Sequence, residues 1–136
     1  MTDAESLAWN FIPGLCHLKE LIANRIQMNT IKHAIEIEMT AEFAQWLHGL
    51  ADRPTRVRLL RRLERASQGL LGDVRPVGGP VFEMREFFGP GLRLYYIHKG
   101  KRVLFFLCGG NKGSQSADIA KARLMAEKLL LEMNHE

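Results

Sequence analysis

Between positions 72 and 113 the chain meets a glycine turn every few residues, and that spacing limits the stretch to short extended segments. Gly72-Asp73, Gly78-Gly79-Pro80, Gly89-Pro90-Gly91 and Lys99-Gly100 separate the runs 74–77, 81–87, 92–98 and 102–108. Glycine reaches the positive φ of a tight turn without steric cost, and proline presets φ beside it. Runs this short, joined by turns this tight, pair with their neighbours in sequence, so a four-stranded antiparallel meander is expected. Leu104-Phe-Phe-Leu-Cys108 is apolar throughout, the pattern of a central strand covered on both faces.

The segments on either side have other periods. Ile31, His33, Ile35 and Ile37 alternate with Lys32, Glu36 and Glu38, which predicts a half-buried strand. Thr40 stands where a helix cap would, ahead of Phe43, Trp46, Leu47 and Leu50 at helical spacing. Asp52-Arg53-Pro54 ends that helix and opens another, because proline is tolerated in a first turn. In the second helix Leu59, Leu63, Ala66 and Leu70 share a side, while Arg58, Arg61, Arg62 and Arg65 fall at i, i+3, i+4 and i+7 as a separate cationic stripe. Gly109-Gly110-Asn111-Lys112-Gly113 reads as a flexible loop, after which Ser116 caps a last helix carrying Ile119, Ala122, Ala126, Leu129 and Leu130. The order β, α, α, four strands, α makes an α+β domain, with the helices expected on one face of the sheet.

Residues 1–27 stand apart. Pro13-Gly14 precedes Leu15, Leu18, Ile22 and Ile26 at helical spacing, and Met28 then opens the core. The extension is either an accessory helix or translated upstream sequence, ahead of a domain at 28–136. A chain of 136 residues is enough for one core. It has no apolar run near the roughly 20 residues of a membrane span. Asp3 and Glu5 stand where a secretory leader would carry cations, and Cys16 and Cys108 fit neither a zinc spacing nor a disulfide framework. Reduced thiols in a cytoplasmic protein, with no metal, no cofactor and no membrane partner, are expected.

The net charge is a modest +4, unevenly spread. Residues 53–65 carry six arginines against Glu64 alone, and residues 85–112 carry Arg85, Arg93, Lys99, Lys101, Arg102 and Lys112 against Glu86 alone. Cations concentrated this way suit a polyanionic partner such as RNA or DNA, or an acidic protein segment.

Gly72-Asp-Val-Arg-Pro-Val-Gly-Gly79, Val81-Phe-Glu-Met-Arg85, Gly89-Pro-Gly-Leu-Arg93-Leu-Tyr95, Leu107-Cys-Gly-Gly-Asn-Lys112-Gly-Ser-Gln115 and Asp118-Ile119 follow one another in that order. Together they resemble the "addiction module killer protein" branch of the RelE/ParE superfamily of type II toxins, related to the HigB toxins, over roughly residues 31–130. The resemblance implies a RelE-like fold and a metal-independent mRNA endoribonuclease. Such toxins often act on messages in the ribosomal A site and are silenced by a helix-turn-helix antitoxin.

In that reaction a ribose 2′-OH attacks the neighbouring phosphate, leaving a cyclic phosphate and a free 5′-OH. Negative charge gathers in the transition state, so preplaced cations supply much of the acceleration. Arginine suits the task because its planar fork holds two phosphate oxygens and stays protonated. Arg93 matches the Gly-x-Arg strand start whose arginine contacts the scissile phosphate in related toxins. Arg85 shares a strand face with Glu83, two residues away, so the two form either part of one site or an ion pair. Lys112 is a phosphate-binding candidate, with Asn111 and Gln115 as lesser RNA contacts. Tyr95 and Tyr96 point to opposite faces, one toward the core and the other free to stack on a base. His98 is a candidate base, since histidine is the side chain most often used for proton transfer. The resemblance also exposes a departure. Related ribonucleases place a Tyr or His near the C-terminal segment, whereas here none follows Lys112 until His135. Glu83, His98 or a tyrosine then moves the proton, or the site works by electrostatics alone, or the ribonuclease activity is lost. The arginine stripe either grips ribosomal RNA or is a solvated face on which the antitoxin docks. Two other activities remain open: a non-nuclease, ParE-like inhibitor of DNA gyrase, and a small nucleic-acid-binding module without toxicity.

Overall fold

A computed structural model describes residues 34–134. The extension at 1–27, the start of the 31–38 strand and His135 lie outside the described residues. The elements in chain order are β1 (Glu36–Met39), α1 (Ala41–His48), α2 (Arg53–Ser67), β2 (Val74–Pro76), β3 (Phe82–Arg85), β4 (Arg93–Lys99), β5 (Val103–Gly110), a 3-10 turn (Lys112–Ser114) and α3 (Gln115–Asn134). The five strands form one sheet in the order β1-β5-β4-β3-β2. β2 to β5 are the antiparallel meander, and β1 adds to its edge parallel to β5. Fold class and element order match the expectation.

The caps explain where the helices begin. Thr40 accepts from the Phe43 amide and donates to the Leu107 carbonyl at 2.6 Å, tying the start of α1 to β5. Asp52 accepts from the Thr55 amide, and Pro54 occupies the first turn of α2. The last helix starts differently from the sequence reading. Asn111, not Ser116, is the cap, and it forms a reciprocal capping box with Ser114 that leads through the 3-10 turn into α3. The segment 109–113 is accordingly a strand end and a capped turn rather than a flexible loop.

The helices lie on both faces of the sheet, not on one. Leu94, Tyr96, Met84 and Phe106 pack with Phe43, Leu47, Leu59, Leu63 and Ala66 of α1 and α2. Tyr95, Ile97, Phe105 and Leu107 pack with Ala122 and Ala126 of α3. The physical reason is already present in β4 and β5, where consecutive residues are apolar, so both faces need cover. Both tyrosines are fully buried, which corrects the expectation that one of them is free to stack. Leu70 is exposed because α2 ends at Ser67 and Gly69 turns the chain away.

Two glycines mark close approaches. A Cβ on Gly109 would overlap the Trp46 indole, and one on Gly110 would overlap the Asp118 carboxylate and the Ser114 hydroxyl. Gly110→Ala is therefore expected to displace the Asp118 carboxylate and the Ser114 hydroxyl and so loosen the start of α3 against the end of β5. Overpacking of this kind costs about 1–3 kcal/mol. Thermal unfolding followed by circular dichroism should show a midpoint lowered by roughly 4 °C or more. An unchanged midpoint would mean that the helix start yields freely.

Candidate functional site

Parity along the hairpins brings one charged end of the sheet together on the α3 face. Arg85 pairs directly with Arg93 across β3 and β4, and Glu83 pairs with Tyr95. Residues directly opposite in antiparallel strands have Cα atoms about 4.5–5.5 Å apart. The two guanidinium-bearing residues therefore flank one spot, and Lys112 approaches it from the 3-10 turn. The three line an open cleft of about 560 Å³ together with Glu86, Phe87 and Gly89-Pro90-Gly91. The turn is tied to the cleft wall through the Lys112 amide, which donates to the Pro90 carbonyl at 3.5 Å.

Each arginine is held from behind. Asp73 receives Arg85 in a two-pronged contact, Nε to Oδ2 at 3.1 Å and Nη2 to Oδ1 at 3.2 Å. Arg93 donates from Nη1 to the Gly91 carbonyl at 2.9 Å, and its Nε stands 3.6 Å from Glu83 Oε2. That Nε is buried and has no hydrogen-bond partner. Glu83 is 0% exposed and receives the Tyr95 hydroxyl (3.1 Å), Gln115 Nε2 (2.9 Å) and Arg75 Nε (3.0 Å). Three cations, Arg85, Arg93 and Lys112, thus line the cleft, with Asp73 and Glu83 behind the two arginines and Glu86 taken by an ion pair with Arg62. The excess is positive and opens onto solvent through the cleft, an arrangement suited to a phosphate.

This geometry sorts the sequence candidates. Arg85, Arg93 and Lys112 come together. Glu83 lies behind Arg93, sealed from solvent, so its ion pairs are with Arg75 and Arg93 and not with Arg85. Gln115 is spent on Glu83, and Asn111 on the cap. Tyr95 is a core residue. Burial, and next the neighbouring Glu83 charge, push its hydroxyl well above the ordinary tyrosine range, so it keeps its proton. His98 lies five residues from Arg93 along β4, hence on the opposite face, where its ring meets Phe82 and Tyr96 edge-on. It takes no part in the cleft. Cys108 is buried under α3, and its thiol is pushed up to about 12 by burial and then by Asp118, so it stays protonated and unreactive.

The arginine stripe also divides. Arg58, Arg61 and Arg65 are exposed and line a second groove of about 570 Å³ with Glu64, Gln68, Glu86 and Phe88. Arg62, 8% exposed, turns inward instead. It donates to the carbonyls of Leu71 (3.0 Å), Arg85 (3.1 Å) and Asp73 (3.3 Å) and pairs with Glu86, so it is a strut between α2 and the sheet end. Asp73, Arg75, Glu86 and Phe87 were not among the sequence candidates. Asp73 was within reach of the pattern, since a hairpin turning at 77–81 sets it across from Arg85.

Among the described residues no group of three or more His, Cys, Asp or Glu could hold a metal ion, and no helix is long and apolar enough to cross a membrane. The chain is 34% identical over 95 residues to an uncharacterized protein of Haemophilus influenzae, a match spanning 70% of this chain and 96% of that protein. No family model matches the chain, and no solved structure matches it.

Proposed function

This chain belongs to the same family as the Haemophilus influenzae protein, a kinship that assigns no activity by itself, and from its cleft we propose that it is a toxin of RelE-like fold that cuts messenger RNA. The observation that carries the reading is the convergence of Arg85, Arg93 and Lys112 on one solvent-open cleft with cationic excess. Arg93 and Arg85 hold the non-bridging oxygens of the scissile phosphate and neutralise the charge that grows as the 2′-oxygen attacks. Guanidinium groups stay protonated, so among these three Lys112 is the one able to hand a proton to the departing 5′-oxygen and regain it from water. Water or hydroxide takes the 2′-OH proton. Glu83 and Asp73 act as positioning residues, holding the two guanidinium planes from behind. The cations stand where a metal would otherwise supply positive charge, in keeping with a metal-independent reaction. The partners of this reading are mRNA, in related toxins on the ribosome, and a helix-turn-helix antitoxin that covers the cleft, all in the cytoplasm.

One observation favours a second reading. Among the described residues, Glu83, Tyr95 and His98 are withdrawn from the cleft, and Asp73 and Glu86 are held in ion pairs with Arg85 and Arg62, which leaves no unengaged side chain there as a general base. A ParE-like toxin that inhibits gyrase through protein contacts would need none.

Brief induction in cells, followed by mapping of RNA 5′ ends, separates these. The nuclease reading expects translation to stop and defined internal cuts to appear. A DNA-damage response without cuts favours gyrase inhibition. Unaffected growth leaves only a nucleic-acid-binding module.

A further inference from the structure

Phe87 is 78% exposed at the wall of the cleft, a large apolar side chain whose position no core packing explains. Its backbone is nonetheless fixed from both sides. The Glu86 amide donates to the Leu92 carbonyl at 2.9 Å, and the Gly91 amide donates to the Phe88 carbonyl at 3.3 Å. Phe88, the next residue, faces the other way and packs on the core beneath the Arg58 guanidinium, 4.9 Å from its ring centroid. With Phe88 anchored, Phe87 is presented outward. The Arg85 guanidinium lies 5.6 Å from the Phe87 centroid, and Asp73 holds that guanidinium in place. A ring backed by a fixed cation, beside two further phosphate-binding cations, offers an open π-face one step from a phosphate site.

We propose that Phe87 is the platform on which a nucleobase of single-stranded RNA stacks while its neighbouring phosphate is held by Arg85, Arg93 and Lys112. The inference rests on the cleft being an RNA site and adds what places the chain in it. Every base has a π-face, so such a platform accepts any sequence. An apolar side chain docked on Phe87 would bring no counter-charge to the adjoining cations, whereas the phosphate next to a stacked base brings one, so charge complementarity favours the nucleic acid.

The test is a binding titration of the full chain with a short RNA bearing 2′-O-methyl groups throughout, which cannot be cut, beside inorganic polyphosphate, which has phosphates and no bases. Phe87→Ala is expected to weaken RNA binding roughly 5- to 100-fold, the range for loss of one stacked base, and to leave polyphosphate binding within about twofold. Phe87→Trp should retain RNA binding, whereas Phe87→Leu should behave as the alanine variant. Equal RNA affinity of Phe87→Ala and the unsubstituted protein overturns the platform while leaving the cleft intact. Parallel losses for RNA and polyphosphate also overturn it. If the unsubstituted protein binds neither polymer, the cleft reading itself fails and the platform falls with it.

Discussion

Arg93→Ala is expected to slow RNA cleavage by the purified protein about 100- to 1,000-fold, the usual cost of removing one preorganised charge-stabilising donor. The reason is positional. Arg93 opens β4 directly across from Arg85, its Nη1 is fixed on the Gly91 carbonyl, and Glu83 steadies it from behind. Little freedom is left to lose when a phosphate arrives. Glu83 keeps Arg75, Tyr95 and Gln115 as partners after the change, so the domain should stay folded. Arg93→Lys retains the charge but loses the planar fork, and an intermediate rate is expected. Rates of cleavage of one labelled RNA by the three proteins check this ordering, with circular dichroism confirming that each is folded. Normal cleavage by Arg93→Ala would remove that residue from the site.

The second large effect falls on stability. Glu83→Ala takes the shared carboxylate from the Tyr95 hydroxyl, Gln115, Arg75 and Arg93, and leaves the largely buried Arg93 guanidinium without a counter-charge. Breaking a buried pair by deleting one partner costs about 3–5 kcal/mol. In a domain of this size that corresponds to a thermal midpoint lowered by more than about 10 °C. Glu83→Gln keeps an acceptor for Tyr95 and should lose less stability. It should still cut more slowly, because Arg93 loses its anchoring charge. A midpoint for Glu83→Ala within about 3 °C of the unsubstituted protein would show that the network carries no weight.

The chemistry of the cleft was more legible in the sequence than its support. Glycine punctuation and period-two runs placed β2 to β5, and strand parity put residues 83 and 85 on one face, to which the register of β3 with β4 brings 93 and 95. Sequence order alone did not say where β1 pairs or which face α3 covers, since both depend on crossovers and not on local period. The error at Arg62 is instructive. Residues 59, 62, 63 and 66 also fall at i, i+3, i+4 and i+7, so Arg62 sits centrally on the buried side of α2. Its charge suggested the solvent face, yet helix geometry placed it inward, where backbone carbonyls and Glu86 receive it. His98 failed for a related reason. Its chemistry was apt, but it stands five positions from Arg93, an odd offset that sends it to the other side of the sheet. Phe87 escaped notice because one exposed phenylalanine has no periodicity, and only the placement of Arg85 beside it gives it meaning.

The central claim is that fixed cations in this cleft hold an RNA linkage tightly enough to break it. The most direct measurement incubates the purified full chain with a labelled single-stranded RNA in excess EDTA and identifies both new ends. The account predicts cuts that persist in the chelator, leaving a 2′,3′-cyclic phosphate on one fragment and a 5′-hydroxyl on the other. Intact RNA across a range of sequences and protein concentrations, or fragments bearing 5′-phosphates, would contradict it.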